Sequence, residues 1–498
     1  MRSALLLAVL VLAGCGGAPL RHGAFGTPAR ARTTPTIGPP AEGTCPRVPS
    51  GHDACRPDVL VAGGGLGAIA AAVSAARHHL RVTLVAPEPY LGGILTAAMM
   101  DQWDFNMVAG GRWVQRGQFE EMYALLGDSF SRDDAKRALA TYAARAGVDV
   151  LVGSRVERVA SRATGRGRTL DAVAVGEARG RLRRFSARCY VDATDDADVA
   201  AAAGARYGIG RQDQGRDAKM QAATLIFTIA GLDWPRVLQT YDMARYGYGH
   251  AIGTRAWGYS KIVRAYKPLS PRVAVRDLNL VLHPGGEAAV NSINVFDVDG
   301  RSAASVREGR AIAEAEAPRL VRYLAAQLPG FEHARVGRYA DALYVRETRH
   351  VRGLVILRES DVWERRVPPD TIGLAAYPLD VHPVDAADRQ RYAPERRVYG
   401  IPLGALLPLG FTNLALASRA ISATHVAAGS ARILPTTVEE GEALGAACAL
   451  AQARHTDLVG IDRDPVLLQA LRGDLRAHGV LLDPPAAAAS PNAVRVGA

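Results

Sequence analysis

An apolar, β-branched run from Asp58 to Ala62 leads straight into Gly63-Gly64-Gly65-Leu66-Gly67-Ala68, then into an alanine-rich amphipathic stretch and a second apolar run at Arg81 to Val85. That order predicts a strand, a glycine turn, a helix and a second strand, which together make a βαβ unit. Downstream, alternating apolar positions predict strands around Ala222 to Ile229 and Leu278 to Leu282. A charged amphipathic helix is expected from about Ala303 to Leu328, stopped by Pro329-Gly330. Another helix should begin near Pro435-Thr436-Thr437, with Gly441, Gly445 and Ala446 along one face, where they would let it lie close to a ligand. Pro465 to His478 is expected to be a surface helix, and the Pro/Ala-rich residues after it a disordered tail.

The glycine turn carries the first chemistry. Gly63 permits the tight turn and Gly65 lets the backbone approach a pyrophosphate, while Ala68 takes the third, close-packing position ahead of a helix N-terminus with free N–H groups. Strand, turn and second strand at these distances predict a doubly wound, Rossmann-like α/β sheet. The end of its second strand, where a carboxylate for a ribose is usual, is Ala86. Glu88, two residues on, is the candidate to reach the ribose hydroxyls, with a solvated loop residue as the alternative.

The first twenty residues hold one positive charge, an apolar run from Ala4 to Ala13, and Leu12-Ala13-Gly14-Cys15. The run is too short to span a bilayer. Small residues followed by cysteine resemble the lipobox of bacterial lipoproteins; the alternative is an ordinary secretory signal with an incidental cysteine. The first reading implies a signal peptide at 1–14, a lipidated Cys15 holding the protein to a membrane, a flexible linker at 15–57, and an extracytoplasmic place in the bacterial cell envelope.

The net charge of +11 comes almost wholly from arginine, with four lysines in the chain, and is scattered rather than patched. No nucleic-acid module accompanies it, so nucleic acid is not an expected partner. Among the five cysteines, Cys45 and Cys55 can close a small disulfide loop, while Cys189 and Cys448 lie in apolar stretches where a free cysteine behaves as a small hydrophobe. No CxxC pair exists, and no metal site is expected.

Further stretches carry a resemblance. Leu91-Gly92-Gly93-Ile94-Leu95-Thr96 follows the second strand; Asp192-Ala193-Thr194-Asp195-Asp196-Ala197-Asp198, Gln221 to Phe227, Arg346-Glu347-Thr348-Arg349, and Asn413 to His425 running on through Gly429 to Thr436 come after it. In this order they resemble the FAD-dependent oxidoreductases that are xanthan-lyase-like or near the flavin subunit of heterodisulfide reductase, over roughly residues 58 to 455. Asp195 and Ser418 stand where that family usually has glycine. The resemblance implies FAD held by Gly63, Gly65, Ala68, Glu88, Gly92, Gly93, Thr96, Thr194, Arg419, Thr436 and Thr437. It implies an FAD-binding domain in two parts, 58–210 and 396–460, around an inserted mixed α+β substrate domain at 211–395, with a C-terminal helix and tail at 461–498. The final helix would point its N-terminus at the flavin, a contribution of about 1 kcal/mol.

In such an enzyme the flavin ring takes or gives the hydride, and the protein positions a small-molecule substrate and manages a proton. His425 is the proton-transfer candidate, against a structural histidine. Arg346 and Arg349, flanking Glu347, can clamp an anion or simply pair with it. Asp101, Trp103 and Asp104 can line the pocket or form a surface loop, and Tyr377, Asp380 and His382 can form its rim. The electron acceptor is left open. The changes at Ala86, Asp195 and Ser418 leave room for a second reading, a degenerate flavoprotein fold with a binding or scaffold role.

Overall fold

In the computed structural model, residues 54–108, 112–177, 180–240, 243–389 and 391–485 are described. The lipobox, most of the linker, Cys45 and the last thirteen residues lie outside them. No helix among the described residues is long and apolar enough to cross a membrane.

Five short parallel strands form the central sheet. They are β1 (Val59–Ala62), then β2 (Val82–Val85) after helix α1 (Leu66–Arg77), then β3 (Asp149–Leu151), β4 (Cys189–Asp192) and β5 (Leu414–Leu416), in the spatial order β5-β4-β1-β2-β3. Each residue of β1, β2, β4 and β5 is buried, which is why these runs read as continuous apolar segments rather than alternating ones. The chain winds from β1 outward through β2 to β3, then returns to the other side of β1 for β4 and β5. The fold is therefore a doubly wound Rossmann-like α/β sheet, with its topological switch point between β1 and β4.

Two further sheets, of four and six strands, accompany it, besides four two-stranded ones among the described residues. Arg155–Thr164, Gly167–Gly176 and Leu182–Phe185 form a meander, and Ala54–Cys55 adds to its edge in parallel with Leu182–Phe185. The expected linker thus enters the fold at Ala54, three residues before its predicted end at 57.

The second is a six-stranded antiparallel sheet of Gly249–Ile252, Arg255–Gly258, Val273–Leu282, Ala288–Val295, Ala223–Ala230 and Arg335–Tyr339. The helix Ala303–Gln327 covers it through Ala313, Ala317, Leu320, Val321 and Leu324. The same apolar cluster takes in Ala98, Met99 and Met100, the residues just past the Gly92-Gly93 turn. This shared core attaches the antiparallel sheet to the glycine loops.

The tightest packing joins α1 to α2 (Leu434–Ala453). A Cβ on Gly441 would lie 2.1 Å from the carbonyl oxygen of Gly67, and one on Gly445 would lie 2.5 Å from that of Ala71. Ser74 Oγ crosses between the helices to the carbonyl of Glu442 at 2.7 Å. The small residues expected to bring this helix near a ligand therefore face another helix. Their role is backbone contact.

Cys189 of β4 and Cys448 of α2 form a disulfide, with Cα atoms 6.0 Å apart. This corrects the expectation of two free thiols. The residues are 259 positions apart in the chain, and each apolar surrounding, taken alone, suits an unpaired cysteine equally well.

Two outcomes follow from this packing. Gly441→Ala should lower the unfolding free energy by about 1–3 kcal/mol through overpacking, whereas Gly473→Ala, in the helix Pro465–Ala477 with nothing within 4 Å of an added Cβ, should be neutral or stabilising; chemical denaturation checks both. Reducing the Cys189–Cys448 bond, or Cys448→Ser, should cost about 2–4 kcal/mol. Alkylation of both thiols in the native, unreduced protein would contradict the bond.

Candidate active site

The loops after β1 and β4 meet at the switch point. Gly63 has φ +125°, and a Cβ there would lie 2.1 Å from the Ala193 carbonyl oxygen, so only glycine lets the two loops touch. Gly65 is the N-cap of α1, makes no side-chain cap, and would meet nothing within 4 Å through an added Cβ. The N–H groups of Leu66, Gly67 and Ala68 in the first turn donate to nothing among the described residues. Such a helix start is an anion seat. Ala68 is fully buried beneath it, but the close-packing position is Gly67, where a Cβ would lie 2.4 Å from the Ala417 carbonyl oxygen.

The Leu91-to-Thr96 turn folds over this loop. Gly92 N–H donates to Gly64 O at 2.7 Å, and Gly93 sits against Gly65, where a Cβ would come 2.8 Å from the Gly65 Cα. The Thr96 hydroxyl is turned inward to the Leu91 carbonyl at 2.9 Å. Glu88 Oε2 lies 3.4 Å from where a Gly64 Cβ would be, just after the end of β2, and its carboxylate accepts from its own backbone N–H. Burial, with Asp195 nearby, raises its pKa.

In the turn after β4, Thr194 donates to Asp192 Oδ1 at 2.6 Å and accepts from Asp198 N–H at 2.8 Å. Burial pushes the Asp192 carboxyl up to about 6 despite its hydrogen bonds from Thr194 and Ala200. Asp195 pairs with Arg419 at 3.2 Å, and Asp196 pairs with the same guanidinium at 2.7 Å. The unusual carboxylate at 195 is thus half of a counter-ion pair for Arg419. Thr436 accepts from Asn106 Nδ2 at 3.2 Å, and Thr437 donates to the Leu434 carbonyl at 2.8 Å.

Beside the glycine loops opens a cleft lined by Ile94, Met100, Gln102, Asp104, Tyr344, Arg346, Arg419, Arg432, Ile433 and Leu434. Leu434 is the first residue of α2, so that helix N-terminus forms one wall. Tyr344 is held by paired backbone bonds with Thr224, which fix the segment bearing Arg346 onto the antiparallel sheet. Arg346 Nη1 donates to the Ala222 carbonyl and to Thr224 Oγ1, both at 2.7 Å, and its guanidinium lies 4.6 Å over the Tyr344 ring. Burial, reinforced by the neighbouring Arg432, pulls its pKa down to about 10. Arg432 donates to Tyr344 Oη at 2.5 Å and faces Asp380 at 3.7 Å. Burial raises the Asp104 pKa against the attraction of Arg432.

Of the other candidates, Arg349 turns to the Asp196 carbonyl and to Asp198 at 2.8 Å. His425 Nδ1 lies 2.6 Å from Glu347 Oε1, and His350 Nε2 lies 2.8 Å from the same oxygen, while Gln221 N–H donates to the other oxygen at 3.0 Å. Neither Arg349 nor His425 is among the lining residues. Burial alone would raise the Glu347 pKa, but the two histidines overcome it and hold the carboxyl well below its usual range. Trp103 belongs to an aromatic core with Phe119 and Phe130, and Asp101 is buried against His283. Tyr377 and Asp380 stand behind Asp104 and Arg432, and burial lowers the His382 pKa to about 4. Arg432 lies in the Gly429-to-Thr436 stretch of the resemblance, which assigns it no role, while Tyr344 and the buried acceptors Glu439 and Glu442, which take backbone N–H bonds from Arg116, Leu374 and Gln118, had no local signal in the sequence.

An uncapped helix start, a carboxylate at the end of β2, and a cleft at the N-terminus of a second helix define a dinucleotide-binding protein of the Rossmann type. The family profile described as FAD dependent oxidoreductase matches residues 58–475, and the chain belongs to that family. It is an FAD-dependent oxidoreductase. The residues present fit FAD: free N–H groups at the start of α1 suit the diphosphate, Glu88 suits the ribose, and the first turn of α2 lies against Gly67 beside them.

Among solved structures, it is similar to a geranylgeranyl bacteriochlorophyll reductase-like protein from Thermoplasma acidophilum (14% identity, 85% of this chain and 84% of that one, TM-score 0.42). It is also similar to the p-nitrophenol 4-monooxygenase PnpA from Pseudomonas putida DLL-E4 (13%, 85% and 88%, TM-score 0.40), and to the flavin-dependent brominase Bmp2 (11%, 84% and 84%, TM-score 0.43). No curated protein matches the chain.

Glu347→Gln should destabilise the protein by about 3 kcal/mol at neutral pH, because it removes the charge that two buried histidines share. With the folded pKa held well below the ordinary value of 4.5, the carboxylate's contribution is complete above that value and is lost progressively as pH falls from it down through the lowered folded pKa. The gap between wild type and variant should therefore close in acid, as read by denaturation at a series of pH values.

Proposed function

We propose that this chain is an exported, lipid-anchored oxidoreductase in which FAD exchanges a hydride with a small organic molecule. The carrying observation is the arrangement of the switch point. Unsatisfied N–H donors at the start of α1 and a cleft walled by the start of α2 are set side by side by the backbone contact of the two helices.

Bound FAD supplies the two-electron acceptor or donor. Leu66, Gly67 and Ala68 would hold its diphosphate through their N–H groups, and Glu88 its ribose. Arg346 would orient the substrate, with Tyr344 beneath the guanidinium and Met100 and Ile94 excluding water. Asp104 lines the cleft, with its pKa raised by burial, and is the carboxyl placed to exchange a proton with a substrate atom. His425, tied to Glu347, would act by keeping the loop after β5 in place.

Export has two supports: the Cys15 lipobox pattern and the Cys189–Cys448 disulfide, a bond that persists mainly in oxidising compartments.

The test is purification of the full chain from membranes, followed by its visible spectrum and mass analysis of acid-released cofactor. The expected result is stoichiometric FAD, with Glu88→Ala weakening FAD affinity about tenfold or more. A colourless protein that takes up no FAD would end the reading. Cys15→Ser should move the protein from the membrane to the soluble fraction, and an unchanged distribution would remove the anchor.

A further inference from the structure

Four arginines stand at or beside the cleft, and three have a carboxylate within ion-pair distance. Arg419 has Asp195 and Asp196, Arg432 has Asp380, and Arg349 has Asp198. Arg346 has none among the described residues, although it is 3% exposed and lines the cleft. Both protein partners of its guanidinium are taken by Nη1. Nε is buried without a partner, and Nη2 makes no hydrogen bond to any described residue. Nε and Nη2 form the side-on edge of a guanidinium, with two parallel N–H bonds spaced to match the two oxygens of one carboxylate. Asp104 and Asp380 attract the guanidinium only from beyond ion-pair distance, so an anionic ligand in direct contact would stabilise a buried cation that no carboxylate touches.

Taking the FAD-enzyme reading as its basis, we propose that the substrate of this site carries a carboxylate, seated on the Nε–Nη2 edge of Arg346. The apolar part of the lining favours an organic acid over an inorganic anion. Beside the polar Gln102, Asp104, Arg419 and Arg432, the side chains of Ile94, Met100, Ile433 and Leu434 offer contact to a hydrocarbon body. The Tyr344 ring under the guanidinium and the two Nη1 bonds fix the plane of the fork before a ligand arrives, which lowers the ordering cost of binding. The inserted sheet thereby has a defined part in specificity: Thr224 and Ala222 set the pose of Arg346 from its buried strand and the residue before it.

The experiment uses the full chain, its FAD content first established by visible absorption, titrated with sodium benzoate and with benzamide at constant ionic strength. Binding is read from the flavin difference spectrum and, independently of flavin, from the melting temperature. Benzoate should bind saturably, benzamide about tenfold or more weaker, and Arg346→Met should lose about tenfold or more of the benzoate affinity. Arg346→Lys should recover only part of it, because an ammonium offers no fork. Equal responses to benzoate and benzamide, or an Arg346→Met protein that binds benzoate as the wild type does, would overturn the proposal. If Arg346→Met fails to fold, Arg346→Lys decides: undiminished benzoate affinity there overturns it as well. A variant that keeps benzoate affinity but shifts the flavin reduction potential would assign the guanidinium to the ring instead. Failure of FAD uptake with a persisting benzoate-dependent rise in melting temperature would remove the flavin reading and leave the carboxylate seat standing.

Discussion

The contact on which the rest depends is between two helix backbones. Gly67 and Ala71 of α1 meet Gly441 and Gly445 of α2 so closely that a single added Cβ would overlap a carbonyl oxygen. Small residues on both helices allow this approach, and the Ser74-to-Glu442 bond fixes its register. The consequence is positional. The start of α1, with its unsatisfied N–H groups, and the start of α2, which walls the cleft, become neighbours although about 370 residues separate them in the chain. Gly67 also lies against Ala417 in the loop after β5, so the same close approach gathers the third contributor to the site. Slippage of this pair would separate the diphosphate seat from the cleft.

Around that frame the protein arranges charge by pairing. Arg419 is paired with Asp195 and Asp196, and Glu347 is hydrogen-bonded to His350 and His425, so these buried ions are structural by their own partners. The carboxylates of α2 are used otherwise: Glu439 and Glu442 accept backbone N–H groups from the 116–118 turn, and Glu439 also accepts from Leu374. Burial drives the Glu442 pKa up to about 7. Arg346 and Asp104 are the exceptions among the cleft residues. Both line the cleft without an ion-pair partner in contact, and Arg346 keeps Nε uncommitted, which separates the residues that can act on a ligand from those that hold the walls.

What the sequence made legible was local. The β1-turn-α1-β2 unit, the helix Ala303–Gln327 and the helix Pro465–Ala477 each announce themselves within one window by periodicity and punctuation. The meander is harder to see, because Arg155–Thr164 is largely exposed and rich in arginine. The rest depended on pairs distant in sequence. Gly441 reads as a ligand-facing glycine until Gly67 is set against it, and Cys189 as a small hydrophobe until Cys448 is. Nothing near Arg349 distinguishes it from Arg346, since Asp198, which takes its charge, lies 151 residues away. His425 belongs to the right loop, but its ring is drawn to Glu347 by a contact that no spacing rule contains.

The central claim is that the helix contact sets one continuous seat for FAD, from the start of α1 to the start of α2. A crystal structure of the full chain with FAD tests it most directly. The account predicts the diphosphate within hydrogen-bond distance of the Leu66, Gly67 or Ala68 N–H groups and the isoalloxazine against Leu434. FAD bound elsewhere, or its ring lying outside the cleft that holds Arg346, would contradict it.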